Sequence, residues 1–372
     1  MGRKLLKNYD FFLLLTIILV SAFGVIMVGS SSVSGEVTVS ALFSNQVFIK
    51  QLVWAVCGVV VMILFSFIDY SEWQRFQIPI YIFSLALLTL VIFKGSSAGG
   101  AQRWIAIGSF FRLQPSEPAK IAIIITLSAT MAKEGRNLER WTGLIVPLLH
   151  VAVPMLVVFL QPDLGTSLIF VAITGAILLV AGTRWLHLVV MGVAGAIGSV
   201  LAFLFVLKPY QKTRLIIFRD PWQDPYNDGW QIIQSKVAIG SGQFGGRGLF
   251  RGTQTQLDFL PAKNTDFIFS VIGEELGFLG AVLFLLVYVF MILRILRVAT
   301  VAKDNFGRYL CVGVAAMLSF QLLVNVGMTI SIMPVTGLPL PLISYGGSSF
   351  LTTMISLGLV LSVAAHSDTS LF

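Results

Sequence analysis

The chain has 372 residues, 56% of them hydrophobic and 11% charged, with a formal net charge of +8. A soluble domain carries roughly 25% charged residues, so the composition excludes an ordinary water-soluble fold and points to an integral membrane protein. Two cysteines, Cys57 and Cys311, lie in apolar runs and exclude a disulfide framework, and His150, His187 and His366 are too scattered for a histidine metal site.

Runs of about 17–25 apolar residues read as membrane helices. The first, 11–29, follows Arg3, Lys4 and Lys7 and mimics a signal peptide. It is long enough to span and more spans follow, so it reads as an uncleaved first helix. Further spans are predicted at 47–68, 77–93, 116–132, 143–160, 164–182, 186–207, 266–293, 309–331 and 344–366. The expected fold class is an all-α integral membrane protein of about ten transmembrane helices, one polytopic domain over 1–372. A large extracytoplasmic loop, 208–264, separates the seventh span from the eighth.

Short loops set the orientation. With the N-terminus inside, the cytoplasmic pieces hold Arg75, Lys133, Arg136, Arg140, Arg184, Arg294, Arg297, Lys303 and Arg308. The outer connections 30–46, 161–163 and 332–343 hold no Lys or Arg. Both termini are therefore expected in the cytoplasm. Two longer outer loops depart from this rule. Residues 94–115 carry Lys94, Arg103 and Arg112. Residues 208–264 carry Lys208, Lys212, Arg214, Arg219, Lys236, Arg247, Arg251 and Lys263 against four aspartates. Long loops are often simply polar. The reading favoured here is an outward basic surface that holds an anion such as a lipid phosphate. Within the second loop, 230–239 places Trp230, Ile233 and Val237 on one helical face, which suits a helix lying on the membrane or packed on protein.

The fourth span opens with Pro115-Ser116-Glu117-Pro118-Ala119-Lys120. Ser116 can cap it, and Glu117 and Lys120, three apart, meet on one face. They read as a helix-start ion pair or as a cavity-facing group in which Lys120 touches a phosphate. Gln161-Pro162-Asp163 is a tight hinge in which Asp163 caps the sixth span or, less readily, contacts a sugar. Gly240-Ser-Gly242-Gln-Phe-Gly245 fits a dinucleotide fingerprint, but no strand precedes it and no βαβ unit surrounds it, so that reading is rejected. Asp266 stands at the edge of the eighth span, with Glu274 and Glu275 deeper in the same run. A first-turn Asp is favoured by the helix dipole. Three carboxylates in one span exceed what capping explains, and a poised carboxylate beside basic residues suits a general base. The stretch 334–349, rich in proline and glycine, cannot be a simple helix before about Ser344. It either lines a cavity with Ser344, Tyr345, Ser348 and Asn325 or makes a structural re-entrant turn.

Seven stretches, taken together and in order, closely resemble the RodA/FtsW family of bacterial shape, elongation, division and sporulation proteins. They are GGAQRW at 99–104, RLQPSEPAK at 112–120, QPDLGTS at 161–167, YQKTR at 210–214, GWQIIQSKVAIGSG at 229–242, GTQTQLDFLPAKNTDFIFSVIGEELG ending at 277, and NVGMTISIMPVTGLPLPLISYGGSS at 325–349. GMTISIMPVTGLPLP is more similar to the elongation branch than to the division branch. The resemblance implies a peptidoglycan glycosyltransferase of the bacterial inner membrane, acting on its outer face. Its substrate would be lipid II, an undecaprenyl-pyrophosphate-linked disaccharide-pentapeptide. It implies Asp266 as the essential Asp, Glu117 and Lys120 as an ion pair, and Arg103, Arg112, Gln211 and Arg214 as cavity-lining residues. Asp163, Lys236, Ser344 and Tyr345 complete the candidate substrate contacts. The implied partner is a class B penicillin-binding protein, a transpeptidase, with other elongation-complex membrane proteins and no nucleic acid. No cofactor is expected. A divalent cation could assist, but no dedicated site shows.

Overall fold

The computed structural model describes residues 8–367 except 34–37, 99–100, 109–110, 134–137 and 208. Arg3, Lys4, Lys7, Arg136 and Lys208, and the first two glycines of the 99–104 motif, lie outside the described residues, as do the side chains of Lys94, Gln102, Tyr210 and Asp228.

In chain order the elements are α1 (Phe11–Ser32), α2 (Val39–Ser44), α3 (Gln46–Phe67), α4 (Tyr70–Arg75) and α5 (Gln77–Lys94). Strands β1 (Ser96–Ala98), β2 (Ala101–Ile107) and β3 (Phe111–Leu113) follow. Then come α6 (Ser116–Ala132), α7 (Trp141–Leu160), α8 (Leu164–Val180), α9 (Trp185–Phe205), α10 (Pro209–Arg219), α11 (Asp228–Gly242) and α12 (Thr253–Gln256). The chain ends with α13 (Ile268–Val301), α14 (Asn305–Thr329) and α15 (Gly347–Ala365). Each predicted span falls on a helix. Helices α1, α3, α7, α9, α13, α14 and α15 are long and apolar enough to cross a membrane, and α5 and α8 are shorter apolar helices. The fold is that of a multi-pass membrane protein. Helices α14, α15 and the 17-residue α6 form its centre and are buried along most of their length. At the rim, α9 buries only His187.

Two ties fix α1 against α13 in antiparallel fashion. At one end Arg294 donates to both carboxylate oxygens of Asp10 at 2.7 Å. At the other, the Ser30 hydroxyl donates to Glu275. Asn8 donates to the Ser367 carbonyl at 2.7 Å, so the described chain starts and finishes at the same end of the bundle, opposite the long loop. Helix α15 runs parallel to α3, with Gly347 against Trp54 and Gly58 against Phe350 and Met354. Its first residue therefore lies eight residues along α3, about 12 Å below the top of that helix.

Two features depart from the sequence reading. The 94–115 connection is a three-stranded antiparallel sheet in the order β1-β2-β3, with Ile105 opposite Leu113 and Ala106 opposite Arg112. The eighth span is broken: Gly277 sits at φ 66°, ψ −165° inside α13. A break frees amides that an apolar medium cannot satisfy. Here the loop after α11 satisfies them. Phe278 and Leu279 donate to the carbonyls of Gln243 and Phe244 at 2.9 and 3.2 Å. In return Arg247 and Gly248 donate to the carbonyls of Glu274 and Glu275 at 3.1 and 2.9 Å. So close a backbone approach admits no side chain. A Cβ on Gly242 would overlap the Gly273 carbonyl oxygen, and one on Gly277 would overlap the Gly246 nitrogen.

The packed face of α11 also differs from the predicted one. Ile232, Ser235 and Ala238 are buried, whereas Trp230 and Ile233 are half-buried and Val237 is exposed. The Ser235 hydroxyl meets the Ser270 hydroxyl and donates to the Thr329 carbonyl, both at 2.7 Å. The helix is packed on protein.

The G-x-G-x-x-G stretch is thus a backbone splice. Gly242→Ala should destabilise the protein by at least about 2 kcal/mol through forced backbone movement. Gly240→Ala, where an added Cβ meets nothing within 4 Å, should leave stability unchanged or raise it slightly. Thermal unfolding of the two variants in detergent, followed by size-exclusion fluorescence, separates the cases.

Candidate active site

Asp266 is half-buried two residues before α13 begins, outside the helix rather than in its first turn. Three tethers hold the backbone around it. Asn325 of α14 donates from Nδ2 to the Asp266 carbonyl at 3.0 Å and to the Leu338 carbonyl at 2.8 Å. The Ser344 hydroxyl donates to the Thr265 carbonyl at 2.6 Å and accepts from the Leu340 amide at 2.8 Å. The Tyr345 amide donates to the Asn264 carbonyl at 2.8 Å. The re-entrant 334–346 stretch is therefore the wall against which Asp266 is set. Gly337, at φ +72°, faces the carboxylate so closely that a Cβ there would lie 3.5 Å from Asp266 Oδ2.

Next to that wall lies a cleft lined by Arg103, Pro162, Gln211, Arg214, Pro334 and Thr336. It continues past Arg214 and Val335 to Gln231 of α11. Burial raises the Asp266 pKa above the ordinary carboxylate value. The Thr265 hydrogen bond and the charge of Arg214 act in the opposite direction. A carboxylate held this way is a stronger base than a solvated one and still ionises beside a cation.

The other candidates fall into distinct settings. Arg103, from β2, donates to the carbonyls of Gln161 and Pro162 and lies 3.9 Å from Asp163. Asp163 caps α8 through the Thr166 amide at 3.2 Å, and accepts from Gln114 and Ser116, both at 3.4 Å. Asp163 is thus a joint between β3, α6 and α8. Ser116 does not cap its own helix: Pro115 holds the cap position and the Ser116 hydroxyl turns to Asp163. Glu117 and Lys120 pair at 2.8 Å and are 3% and 1% exposed. So sealed an ammonium is removed from direct contact with a phosphate in the cleft. Arg112 is exposed, close enough that its charge lowers the Tyr345 phenol pKa, which burial raises. Tyr345 lines a second, more neutral cleft with Asp258, Lys263, Asn264 and Thr265. Lys236 projects from the exposed face of α11 and lines none of these clefts.

Glu274 and Glu275 carry no signal of the cleft. Glu274 accepts from Gln254 N, Thr255 N and Thr255 Oγ1 at 2.7, 3.1 and 2.7 Å, which caps α12. Glu275 accepts from Ser30. Of the three carboxylates in this segment, Asp266 remains the candidate site residue, while Glu274 anchors α12 and Glu275 anchors α1. What sequence reasoning undervalued was Asn325. A lone amide inside an apolar helix is itself a signal that a backbone needs holding.

Known proteins support the same reading of the fold. Residues 10–369 match the FtsW/RodA/SpoVE family model, described as a cell cycle protein. A probable peptidoglycan glycosyltransferase FtsW of Trichlorobacter lovleyi is 37% identical over 97% of this chain and 94% of its own length. The peptidoglycan glycosyltransferase MrdB of Escherichia coli K12 is 39% identical over 83% of each chain, and the stage V sporulation protein E of Bacillus subtilis is 35% identical over 96% of this chain and 97% of its own length. A chain from a peptidoglycan synthase complex superposes with a TM-score of 0.81 at 32% identity, covering 97% of this chain and 99% of that one. The rod shape determining protein RodA of Thermus thermophilus superposes with a TM-score of 0.71 at 29% identity, covering 97% and 98%. The two solved structures share the overall fold of this chain. The chain belongs to the FtsW/RodA/SpoVE family.

Because Asp266 has a raised pKa in the folded state, the native protein binds its proton more tightly than the unfolded chain does. Stability is therefore lost as pH rises from the ordinary value of 3.8 through the folded pKa, and stays lower above it. Asp266→Asn should accordingly melt at a higher temperature than the unsubstituted protein at pH 7. The gap should close as pH falls towards 3.8. Thermal unfolding of both proteins across that range checks the sign.

Proposed function

We propose that this chain is a peptidoglycan glycosyltransferase that polymerises lipid II, with Asp266 as general base. The observation that carries the proposal is the placement of a half-buried carboxylate of raised pKa beside a cleft bearing Arg103, Gln211 and Arg214. Asp266 takes the proton from the 4-hydroxyl of the acceptor N-acetylglucosamine. That oxygen attacks the anomeric carbon of the donor N-acetylmuramic acid, and undecaprenyl pyrophosphate leaves with inversion. Charge that builds on the departing pyrophosphate is offset by Arg214, with Arg112 and Arg103 along the same face. Pyrophosphate is a good leaving group, so one carboxylate suffices where glycoside hydrolysis needs two. Glu117 and Lys120 support the floor of the site, and Ser344, Tyr345 and Asp163 shape its walls.

The charge pattern supports a site on the extracytoplasmic face of the bacterial inner membrane with both termini in the cytoplasm. The structural likeness to a chain of a peptidoglycan synthase complex supports a class B penicillin-binding protein as partner. Relatives with division, sporulation and MrdB names match at 37%, 35% and 39% identity. Within the family the role proposed is cell elongation and rod-shape maintenance, on the likeness of the 327–341 stretch to the elongation branch.

Purified protein with its partner, supplied with labelled lipid II, should make long glycan strands. Asp266→Asn should lower the rate by at least about 100-fold while remaining folded and partner-bound. Full activity in that variant would exclude Asp266 as base. Lipid II translocation without strand synthesis would favour a flippase, and neither activity would favour a scaffold. Arg214→Gln should retain some activity but move the acid limb of the pH profile upward, since a cation that lowers the Asp266 pKa is lost. In cells, expression should restore rod shape after depletion of the elongation polymerase. Rescue of septation alone would reassign the role to division.

A further inference from the structure

We infer that Gln321 is a positioning residue that joins the Glu117–Lys120 ion pair to the clamp on Asp266 through buried water. The inference rests on the polymerase reading above. Gln321 is 0% exposed in the middle of α14, and neither Nε2 nor Oε1 has a hydrogen-bond partner among the described residues. A buried amide with all its bonds unmade is costly, and such groups are normally met by protein or ordered water. One further group on α14 and one on α6, which packs against it, are also incompletely satisfied. Asn325, one turn nearer the site, uses Nδ2 twice and leaves Oδ1 unbonded. Glu117 keeps Oε2 without a hydrogen bond apart from its ion pair.

The helix register brings these groups to one level. Helices α6 and α14 pack antiparallel, and a Cβ on Gly313 would lie 3.0 Å from Ile124. Counting towards the loop end, Gln321 lies eight residues beyond Gly313 and Glu117 seven beyond Ile124, about 12 and 11 Å at helical rise. Met317 comes level with Lys120 by the same count. Asn325 then reaches the Asp266 carbonyl directly. The order from the centre outward is ion pair, Gln321, Asn325, Asp266. Water needs two to four polar partners to be held inside a protein, and the three unbonded amide atoms of Gln321 and Asn325, with the ion-paired Glu117 Oε2, supply them. The result is a fixed dipolar strut between a buried charge pair and the backbone of the base.

Two measurements test this. Gln321→Leu removes the amide with little change of volume and takes an unpaired polar group out of the core. It should keep or raise the melting temperature and lower kcat by about tenfold with KM nearly constant, because the loss is in alignment of the base rather than in substrate binding. Gln321→His, which can still bond water, should recover most of kcat. An unchanged kcat in Gln321→Leu overturns the proposal. The second measurement is radiolytic hydroxyl-radical labelling of the whole protein. Met317 is 0% exposed, yet it should be oxidised in the unsubstituted protein by adjacent buried water and protected in Gln321→Leu. A Met317 that stays unlabelled in the unsubstituted protein overturns the proposal whatever the polymerase activity. A labelled Met317 in a protein without polymerase activity sinks the polymerase reading and leaves the water link standing.

Discussion

The amides of Phe278 and Leu279 cannot bond within their own helix, because Gly277 turns the backbone out of the helical region. Each unsatisfied amide in an apolar slab costs several kcal/mol, so this break exists only because another segment answers it. Gln243 and Phe244 supply the two carbonyls, and Arg247 and Gly248 return two amides to the chain before the break. Four backbone bonds thus splice the long loop onto α13. Glu274 and Glu275 extend the splice by capping α12 and holding α1. The loop carries Gln211 and Arg214 and leads directly into Asp266. Its registration against the bundle therefore sets where the cations stand relative to the carboxylate.

The same logic of satisfied backbone governs the opposite wall. Residues 334–346 pass through the protein without a helix and descend to about 12 Å below the top of α3 where α15 begins. Their polar groups are met by side chains and by the backbone of the 264–266 segment. Asn325 takes the Leu338 carbonyl, Ser344 Oγ takes the Leu340 amide, and the Tyr345 amide goes to Asn264. Each of these bonds also reaches, directly or through a neighbour, into 264–266. The re-entrant stretch and the segment bearing Asp266 hold each other, so neither can shift alone.

Much of this was legible in the sequence, for reasons that differ by residue. The spans were readable because lipid tolerates few charges, and Asp266 stood out against that background. Arg103 and the Gln211–Arg214 pair come from two distant places in the chain, yet the positive charge of two outer loops already hinted at a shared surface. What could not be read was partnership. Glu274 and Glu275 exceed what capping explains in the sequence because the groups that donate to them, in the Thr253–Gln256 turn and at Ser30, are distant along the chain. The predicted face of α11 differs because Trp230, Ile233 and Val237 make an all-apolar line, while the packed line through Ile232, Ser235 and Ala238 includes a serine and an alanine. Close helix approach rewards small residues, which a hydrophobicity pattern discounts. The sheet at 96–113 was hidden in a connection judged only by its charge.

Asp266 lies before α13, not within it, and this matters for its chemistry. Inside the first turn its carboxylate would turn back to cap backbone amides, which stabilises the anion and weakens the base. Outside the helix the backbone is instead held through its carbonyl by Asn325, and the cap position passes to Phe267, which makes no side-chain cap. The carboxylate is left facing Gly337 and the cationic cleft, raised in pKa by burial and drawn down by Arg214. Holding the residue by its backbone frees its side chain to exchange a proton.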